Sequence, residues 1–146
     1  MQRACVHFRC GYTLPELVLV VTIAGLASAI GARALARHLD RLAVQAAVAE
    51  AAGALARARD EALARHAVVG VRIDTPRATV TLRARGARPV AYALGHAHGV
   101  SLSTTRDSLA FDARGLGYGA ANLTLVARRG AAADTLVVSR LGRLRW

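Results

Sequence analysis

The sequence has no lysine: all 20 basic residues are arginine, and they outnumber the 9 acids in a chain of 146 residues. The net charge of +11 makes the protein strongly basic. Such a charge favours polyanionic partners, namely nucleic acid, anionic lipid headgroups or an acidic protein. A GC-rich genome and selection for guanidinium chemistry both explain arginine without lysine. Composition alone therefore points to a class of partner and not to one partner.

Cysteine and aromatic residues are also scarce. The only two cysteines, Cys5 and Cys10, both precede Gly11, so a chain that starts after Gly11 has no disulfide. Aromatic residues make up 4% of the sequence, so any core is aliphatic. The length allows one modest domain and one long accessory element.

No arrangement of Ser, His and Asp has the spacing of a catalytic triad, and we predict neither an enzyme nor a cofactor. His96 and His98 on one face of a strand would form part of a metal site, but no cysteine or nearby acid completes it. Surface histidines in a turn region are the favoured interpretation. The glycines of Gly115–Gly119 lack the strand-to-helix context of a dinucleotide-binding motif, so a hairpin loop is predicted there.

An apolar run occupies the N-terminal part of the chain. The 16 residues from Leu17 to Ala32 carry no formal charge. As a helix they span about 24 Å, slightly less than the ~30 Å core of a bilayer. Adding Tyr12 to Glu16 supplies the difference, so residues 12–33 are predicted to form a transmembrane and assembly helix.

Three interpretations of this run compete. Arg3, Arg9 and the small residues Ala27-Ser28-Ala29 are compatible with a cleaved signal peptide, and the length is compatible with a generic single-pass anchor. The third interpretation is a prepilin-type leader. Glu16 favours the prepilin leader. Inserting a carboxylate within an apolar helix costs about 2.5–3.5 kcal/mol of free energy, and neither a signal peptide nor a plain anchor has a use for that charge.

Gly11 followed by Tyr-Thr-Leu-Pro-Glu-Leu resembles the processing site of type IV pilins and type II secretion pseudopilins. The resemblance implies a leader over residues 1–11, cleavage between Gly11 and Tyr12 by a prepilin peptidase, and N-methylation of Tyr12. It also implies that Glu16 meets the N-terminal amine of a neighbouring subunit during assembly, which gives a buried charge its partner. Tyr12 stands where the family usually has Phe, and Pro15 is tolerated in a first helical turn.

The same resemblance implies a single-pass protein of the inner membrane with a periplasmic C-terminal domain, which is extracellular when in a filament. Arg33, Arg37 and Arg41 follow the apolar run, and the positive-inside rule alone would put that end in the cytoplasm. The motif is the more specific signal, so we give it precedence.

The alanine-rich pattern continues beyond the apolar run, and one helix is predicted from Leu14 to His66. Its second part, residues 34–66, is predicted to be amphipathic. The apolar stripe of this helix is predicted at Leu35, Leu39, Leu42, Ala46, Leu55 and Leu63.

After Ala67 the periodicity changes to two, which predicts a C-terminal β-domain over residues 67–146. We expect an α+β fold in which a long N-terminal helix packs against a small antiparallel β-domain, as in pilins. The predicted strands are the seven segments VVGVRID, ATVTLRA, PVAYAL, GVSLS, SLAFD, NLTLVARR and DTLVVSR.

Phe111 and Gly115 precede two of these strands, and the chain closes with Gly142-Arg143-Leu144-Arg145-Trp146. This order resembles the C-terminal region of the GspH/FimT family of minor pilins and pseudopilins. The resemblance implies a subunit of a type II secretion or type IV pilus machine, at or near the filament tip. Its implied partners are other pilins or pseudopilins, the prepilin peptidase and the inner membrane.

Arginines are concentrated near the C-terminus, and removing Arg3 and Arg9 from the net +11 still leaves +9. If residues 141–146 are extended, alternate side chains share a side, and guanidinium groups offer two-pronged contacts to phosphate. Within the family such an end is associated with DNA uptake, so DNA is a candidate partner. A solvated basic edge that prevents aggregation is the alternative. The candidate DNA-binding residues are Arg128, Arg129, Arg140, Arg143 and Arg145.

Overall fold

A computed structural model describes residues 13–118 and 122–146. Its first helix, α1 (Leu14–Arg65), begins at the predicted residue and ends one residue before the predicted end. Pro15 is the second residue of α1, where its missing N–H leaves no helical carbonyl without a partner. The predicted cleavage and methylation site, Gly11 and Tyr12, lies outside the described residues.

Residues 13–36 belong to one structural unit of the chain. Every described side chain of this unit is exposed. An 18-residue window of α1 near its N-terminus is apolar enough to cross a membrane, and none of that window is buried. The hydroxyl of Thr22 donates to the carbonyl of Val18 at 2.7 Å, which pairs the hydroxyl within the helix.

Residues 37–146 form the second unit, and this part of α1 buries one face in its core. The buried positions recur every three or four residues, as on one side of a helix. The predicted stripe is wrong except for Leu55, because Leu39, Leu42 and Leu63 are 52%, 48% and 40% exposed. Apart from Leu55, small side chains form the buried face. They are Val44, Ala47, Val48, Ala51, Ala52, Ala54, Ala58 and Ala62.

The seven predicted strands are all present, and they divide into two antiparallel four-stranded sheets. The first sheet has the order β3-β2-β1-β5 and the second the order β4-β6-β7-β8. An eighth strand was not predicted. The strands are β1 (Val69–Asp74), β2 (Thr79–Ala84), β3 (Val90–Ala93), β4 (Ser101–Thr104), β5 (Ser108–Phe111), β6 (Leu123–Arg129), β7 (Ala132–Val138) and β8 (Leu144–Arg145).

Alternate residues of the strands form the rest of the core. In β6, Leu123, Leu125 and Ala127 are buried and their intervening neighbours are partly exposed, which is the pattern of a strand covered on one face. Phe111 is the largest fully buried side chain. The core is therefore mainly aliphatic, as composition predicts.

A short helix, α2 (Leu94–His98), stands where the sequence predicts the end of one strand and the start of the next. Leu94 is fully buried, and the helix ends at Gly99 with φ of 65°. A Cβ at Gly95 would approach the Cβ of Ala78 to 2.8 Å, so α2 lies directly against the β1–β2 turn. His96 and His98 are therefore helical, so the predicted turn region is wrong; His96 is exposed and His98 is partly buried.

Candidate functional site

The C-terminal motif residues meet in one place. Gly142 has φ of 70°, and a Cβ there would approach the carbonyl oxygen of Gly115 to 2.9 Å and Cε1 of Phe111 to 3.4 Å. Arg59, on α1, donates through Nε to the same Gly115 oxygen at 3.0 Å. The C-terminal motif therefore brings together the turn after β5, the turn before β8 and helix α1.

The turn after β5 is organised by Asp112. Its Oδ1 accepts from the backbone N–H groups of Leu116 at 2.8 Å and Arg114 at 2.9 Å. The Leu116 hydrogen bond, followed by the contacts with Arg114, lowers the pKa of the Asp112 carboxyl below its usual value. Gly115 donates to the Asp112 carbonyl at 2.9 Å and has φ of 72°, a conformation that glycine adopts without strain.

The chain then folds back on β5, with an antiparallel bridge between Phe111 and Gly117. The predicted hairpin loop is confirmed for the described part of the glycine-rich segment, whereas Gly119 lies outside the described residues. The N–H of Gly117 donates to the carbonyl of Arg140 at 3.2 Å. This bond attaches the loop to the C-terminal hairpin.

That hairpin carries three of the five candidate arginines. The chain turns between Ser139 and Gly142, whose N–H donates to the Ser139 carbonyl at 2.9 Å, and β8 returns along β7. Only Leu144 and Arg145 are in strand conformation, so the segment is not extended from Leu141 onward. All three guanidinium groups are exposed, and none forms an ion pair within the described residues: Arg140, Arg143 and Arg145.

Trp146 follows at the end of the described chain. Trp146 is 68% exposed, so most of its surface is open to solvent. Trp146 lines an open groove of about 480 Å³ together with Arg143, Arg145 and, from α1, Arg59 and Asp60. An exposed indole beside two arginines offers a stacking surface next to positive charge.

The other two candidate arginines lie elsewhere. Arg128 and Arg129 pair with Ala133 and Ala132 at the start of β7, whereas Arg145 pairs with Val137 near its end. Four residues along β7 correspond to roughly 13 Å at about 3.3 Å per residue. The structure therefore does not bring the five arginines together.

Arg129 is also engaged within the domain. Its Nε lies 3.0 Å from Oδ1 of Asp40 on α1, and its Nη1 donates to the carbonyl of His98 at 2.6 Å. Nε2 of His98 in turn lies 2.6 Å from Oε2 of Glu50. An acid does lie beside this histidine in space, although the described residues contain no group of three metal-ligating side chains.

Glu16, the predicted assembly residue, lies in the first turn of α1 and is exposed. A carboxylate at this end of a helix is favoured by the helix dipole. Glu16 stands three residues after the first described residue, Thr13.

Sequence reasoning missed Arg59, Asp40 and Asp112. Asp112 and Gly115 stand at the first and fourth positions of a turn, a recognisable signature of a type I turn. Arg59 and Asp40 lie on α1, far in sequence from Gly115 and Arg129, the residues they contact. No local sequence pattern predicts contacts between segments so far apart.

This architecture is that of a pilin: a long N-terminal helix, part of which packs against antiparallel sheets. The chain is similar in structure to the type IV minor pilin FimU of Pseudomonas aeruginosa, with a TM-score of 0.58 and 19% identity over 70% of this chain and 86% of that one. A second crystal form of FimU gives a TM-score of 0.56 and 18% identity, covering 69% of this chain and 90% of that one. These matches confirm the predicted fold.

The family model described as type II transport protein GspH matches residues 47–142. Because this match spans more than half of the chain, the protein belongs to the GspH family of pilin-like minor pilins and pseudopilins. No curated protein sequence matches the chain.

Proposed function

We propose that this minor pilin or pseudopilin is held in the inner membrane by residues 12–33, with its C-terminal domain in the periplasm. Prepilin peptidase removes residues 1–11, Tyr12 is N-methylated, and the mature chain joins other pilins at or near the tip of a filament. The observation that carries the proposal is a fully exposed apolar helix segment, residues 14–36, whose only acid is Glu16.

The exposed side chains support assembly through α1. Leu17, Val21 and Ile30 are 57%, 62% and 71% exposed, so this surface requires lipid or other apolar helices around it. A carboxylate in such surroundings needs a cationic partner, and the N-terminal amine of a neighbouring subunit supplies one.

Glu16→Ala is therefore expected to leave leader cleavage intact and to reduce incorporation into filaments by about tenfold, because one lost charge pair in apolar surroundings is worth at least ~1.4 kcal/mol. The measurement is the amount of protein in sheared filaments, by immunoblot. Thr22→Ala is the matched control, since it removes another polar side chain of the same segment and its hydroxyl bonds only within the helix. Wild-type incorporation of the Glu16 variant would contradict the pairing role.

The C-terminal hairpin supports a second candidate function, DNA capture during uptake. Its three exposed arginines, Arg140, Arg143 and Arg145, have no acidic partner within the described residues, and Trp146 lies beside two of them. Such a group contacts phosphates without reading sequence, and binding then weakens steeply with salt.

Replacing Arg143 and Arg145 together by Gln is expected to weaken duplex binding and to flatten the log–log salt dependence by about 1.8, at ~0.9 per phosphate contact. The measurement is fluorescence anisotropy with the full chain in a nonionic detergent and duplexes of unrelated sequence. Arg85→Gln with Arg88→Gln is the matched control, because both side chains are exposed and the charge change is the same. An equal loss in the control would indicate diffuse charge, and no binding at low salt would leave the secretion pseudopilin as the function.

A further inference from the structure

The outer face of the first sheet carries an open hollow of about 420 Å³. We call it the sheet hollow. None of its lining residues is acidic, and three of them are arginine. They are Gly70, Val71, Arg72, Arg83, Arg106, Ser108, Leu109, Ala110 and Tyr118.

Strand register explains how the arginines come together. Arg72 of β1 stands opposite Thr81, two residues before Arg83 on the neighbouring strand. Residues related in this way share a face and lie roughly 7–8 Å apart. On the other side, Arg72 stands opposite Ser108, and Arg106 lies two residues before that serine, in the turn that leads into β5. Arg72 therefore lies between Arg83 and Arg106, and all three residues line the sheet hollow.

These three side chains are exposed and form no ion pair within the described residues. The acids nearest to them in the chain are Asp74 and Asp107. Oδ2 of Asp74 lies 3.8 Å from Nη1 of Arg77. The backbone carbonyl of Asp107 accepts from the N–H of Ile73 at 2.7 Å, and Asp107 is exposed, next to Arg106 in the chain. Unpaired like charges at this spacing repel one another, and a bound phosphate relieves that repulsion.

Gly70 forms the floor of the sheet hollow. It stands between Arg83 and Ala110 in register, and a Cβ built on it would meet only the carbonyl oxygen of Arg83, at 3.9 Å. The backbone therefore does not require glycine here. A glycine inside a strand weakens the strand, and such a position often marks a bulge, a bend, or a site where a ligand or another chain approaches closely.

Tyr118 stands at the rim with its side chain 66% exposed. Its backbone N–H donates to the Ala110 carbonyl at 2.8 Å, and the preceding Gly117 is bonded to Arg140. The backbone of Tyr118 is thus fixed at the rim of the sheet hollow, between the arginines of the sheet and the C-terminal hairpin. An exposed aromatic ring beside phosphate-binding groups is the arrangement that stacks an unpaired base.

We propose that the sheet hollow binds single-stranded nucleic acid, with phosphates on Arg72, Arg83 and Arg106 and one base stacked on Tyr118. Inorganic phosphate and lipid headgroups share the phosphate but have no base for the ring. The proposal rests on the second candidate function, DNA capture, and adds to it a site outside the C-terminal hairpin.

Binding of a fluorescein-labelled oligothymidylate to the full chain in nonionic detergent tests the proposal. Replacing Arg72 and Arg83 together by Gln is expected to lower affinity about tenfold and to flatten the salt dependence by about 1.4, at ~0.7 per phosphate of a single strand. Gly70→Val is expected to lower affinity with no change in charge, since its side chain occupies the hollow. Arg85→Gln with Arg88→Gln is the control for charge.

Variants of Tyr118 separate the contribution of base stacking from that of phosphate binding. Tyr118→Ala is expected to lower affinity for the single strand about tenfold and leave duplex affinity unchanged, whereas Tyr118→Phe retains wild-type binding of both. Thermal unfolding of each variant shows whether its domain is intact. Vesicles of phosphatidylglycerol provide the lipid arm, and loss of vesicle binding without loss of oligothymidylate binding overturns the assignment to nucleic acid.

The outcomes separate this proposal from the one it rests on. Wild-type oligothymidylate binding by the Arg72, Arg83 and Gly70 variants, with loss only in the Arg143 and Arg145 variant, overturns the sheet hollow and leaves DNA capture standing. Binding that changes in no variant beyond the control overturns both. Quenching of Trp146, the only tryptophan, reports occupation of the hairpin and should persist in the hollow variants.

Discussion

Gly142→Ala is expected to lower the free energy of unfolding of the C-terminal domain by about 2–5 kcal/mol. Two penalties add at this position. The left-handed backbone, with φ of 70°, disfavours any side chain by about 1–2 kcal/mol. The new Cβ would also stand 2.9 Å from the Gly115 carbonyl oxygen, and overpacking of this kind costs about 1–3 kcal/mol more.

Gly86→Ala is the matched control, because Gly86 has φ of 77° and nothing within 4 Å of a built Cβ. It carries the backbone penalty alone, about 1–2 kcal/mol. The two variants are compared by urea unfolding of the full chain in detergent, followed by circular dichroism. Equal midpoints for both would mean that Gly142 does not approach Gly115 closely in solution, which contradicts the packing of the motif described above.

Gly11→Val is expected to abolish leader cleavage and leave the full-length precursor in the membrane, if the processing proposal is right. A peptidase site that accepts glycine before the scissile bond has no room for a branched side chain. The measurement is mass spectrometry of the intact protein and of its N-terminal peptide. Wild-type protein should begin at N-methylated Tyr12.

Gly25→Val is the control for this experiment, because it makes the same substitution within the apolar segment, where a Cβ meets nothing within 4 Å. It should be cleaved normally. A wild-type chain beginning at Ile30 would instead show cleavage after Ala27-Ser28-Ala29, as in an ordinary signal peptide. Normal cleavage of the Gly11 variant would contradict the proposed site directly.

The sequence predicted the elements of the fold well, since each leaves a local signal. The ends of α1 and the seven longer strands follow from the change of periodicity near residue 67 and from the turns between strands. The division of the strands into two sheets has no such signal, because it depends on pairing between distant segments. The two-residue strand β8 is too short to show an alternation.

The errors have different physical causes. The predicted stripe of α1 followed the large side chains, whereas close packing of a helix on sheets selects small ones, so alanines are buried and, apart from Leu55, the predicted leucines are not. The helix α2 was missed, because its five residues are too few to display a helical period; its first residue, Leu94, was assigned to the preceding strand. The arginine group was predicted from proximity in sequence, yet register separates Arg129 from Arg145.

Six of the nine buried residues of α1 are alanine, and each contributes little apolar area. Most of the apolar area buried between the helix and the sheets therefore comes from sheet residues such as Phe111 and Leu125. The small side chains of the helix allow the sheets to pack close to its backbone. The helix therefore has two sides that differ in side-chain size. A larger residue on the alanine side would collide with the sheets of its own domain. On the other side Leu39 and Leu42 are 52% and 48% exposed, so the domain itself tolerates larger or smaller residues there.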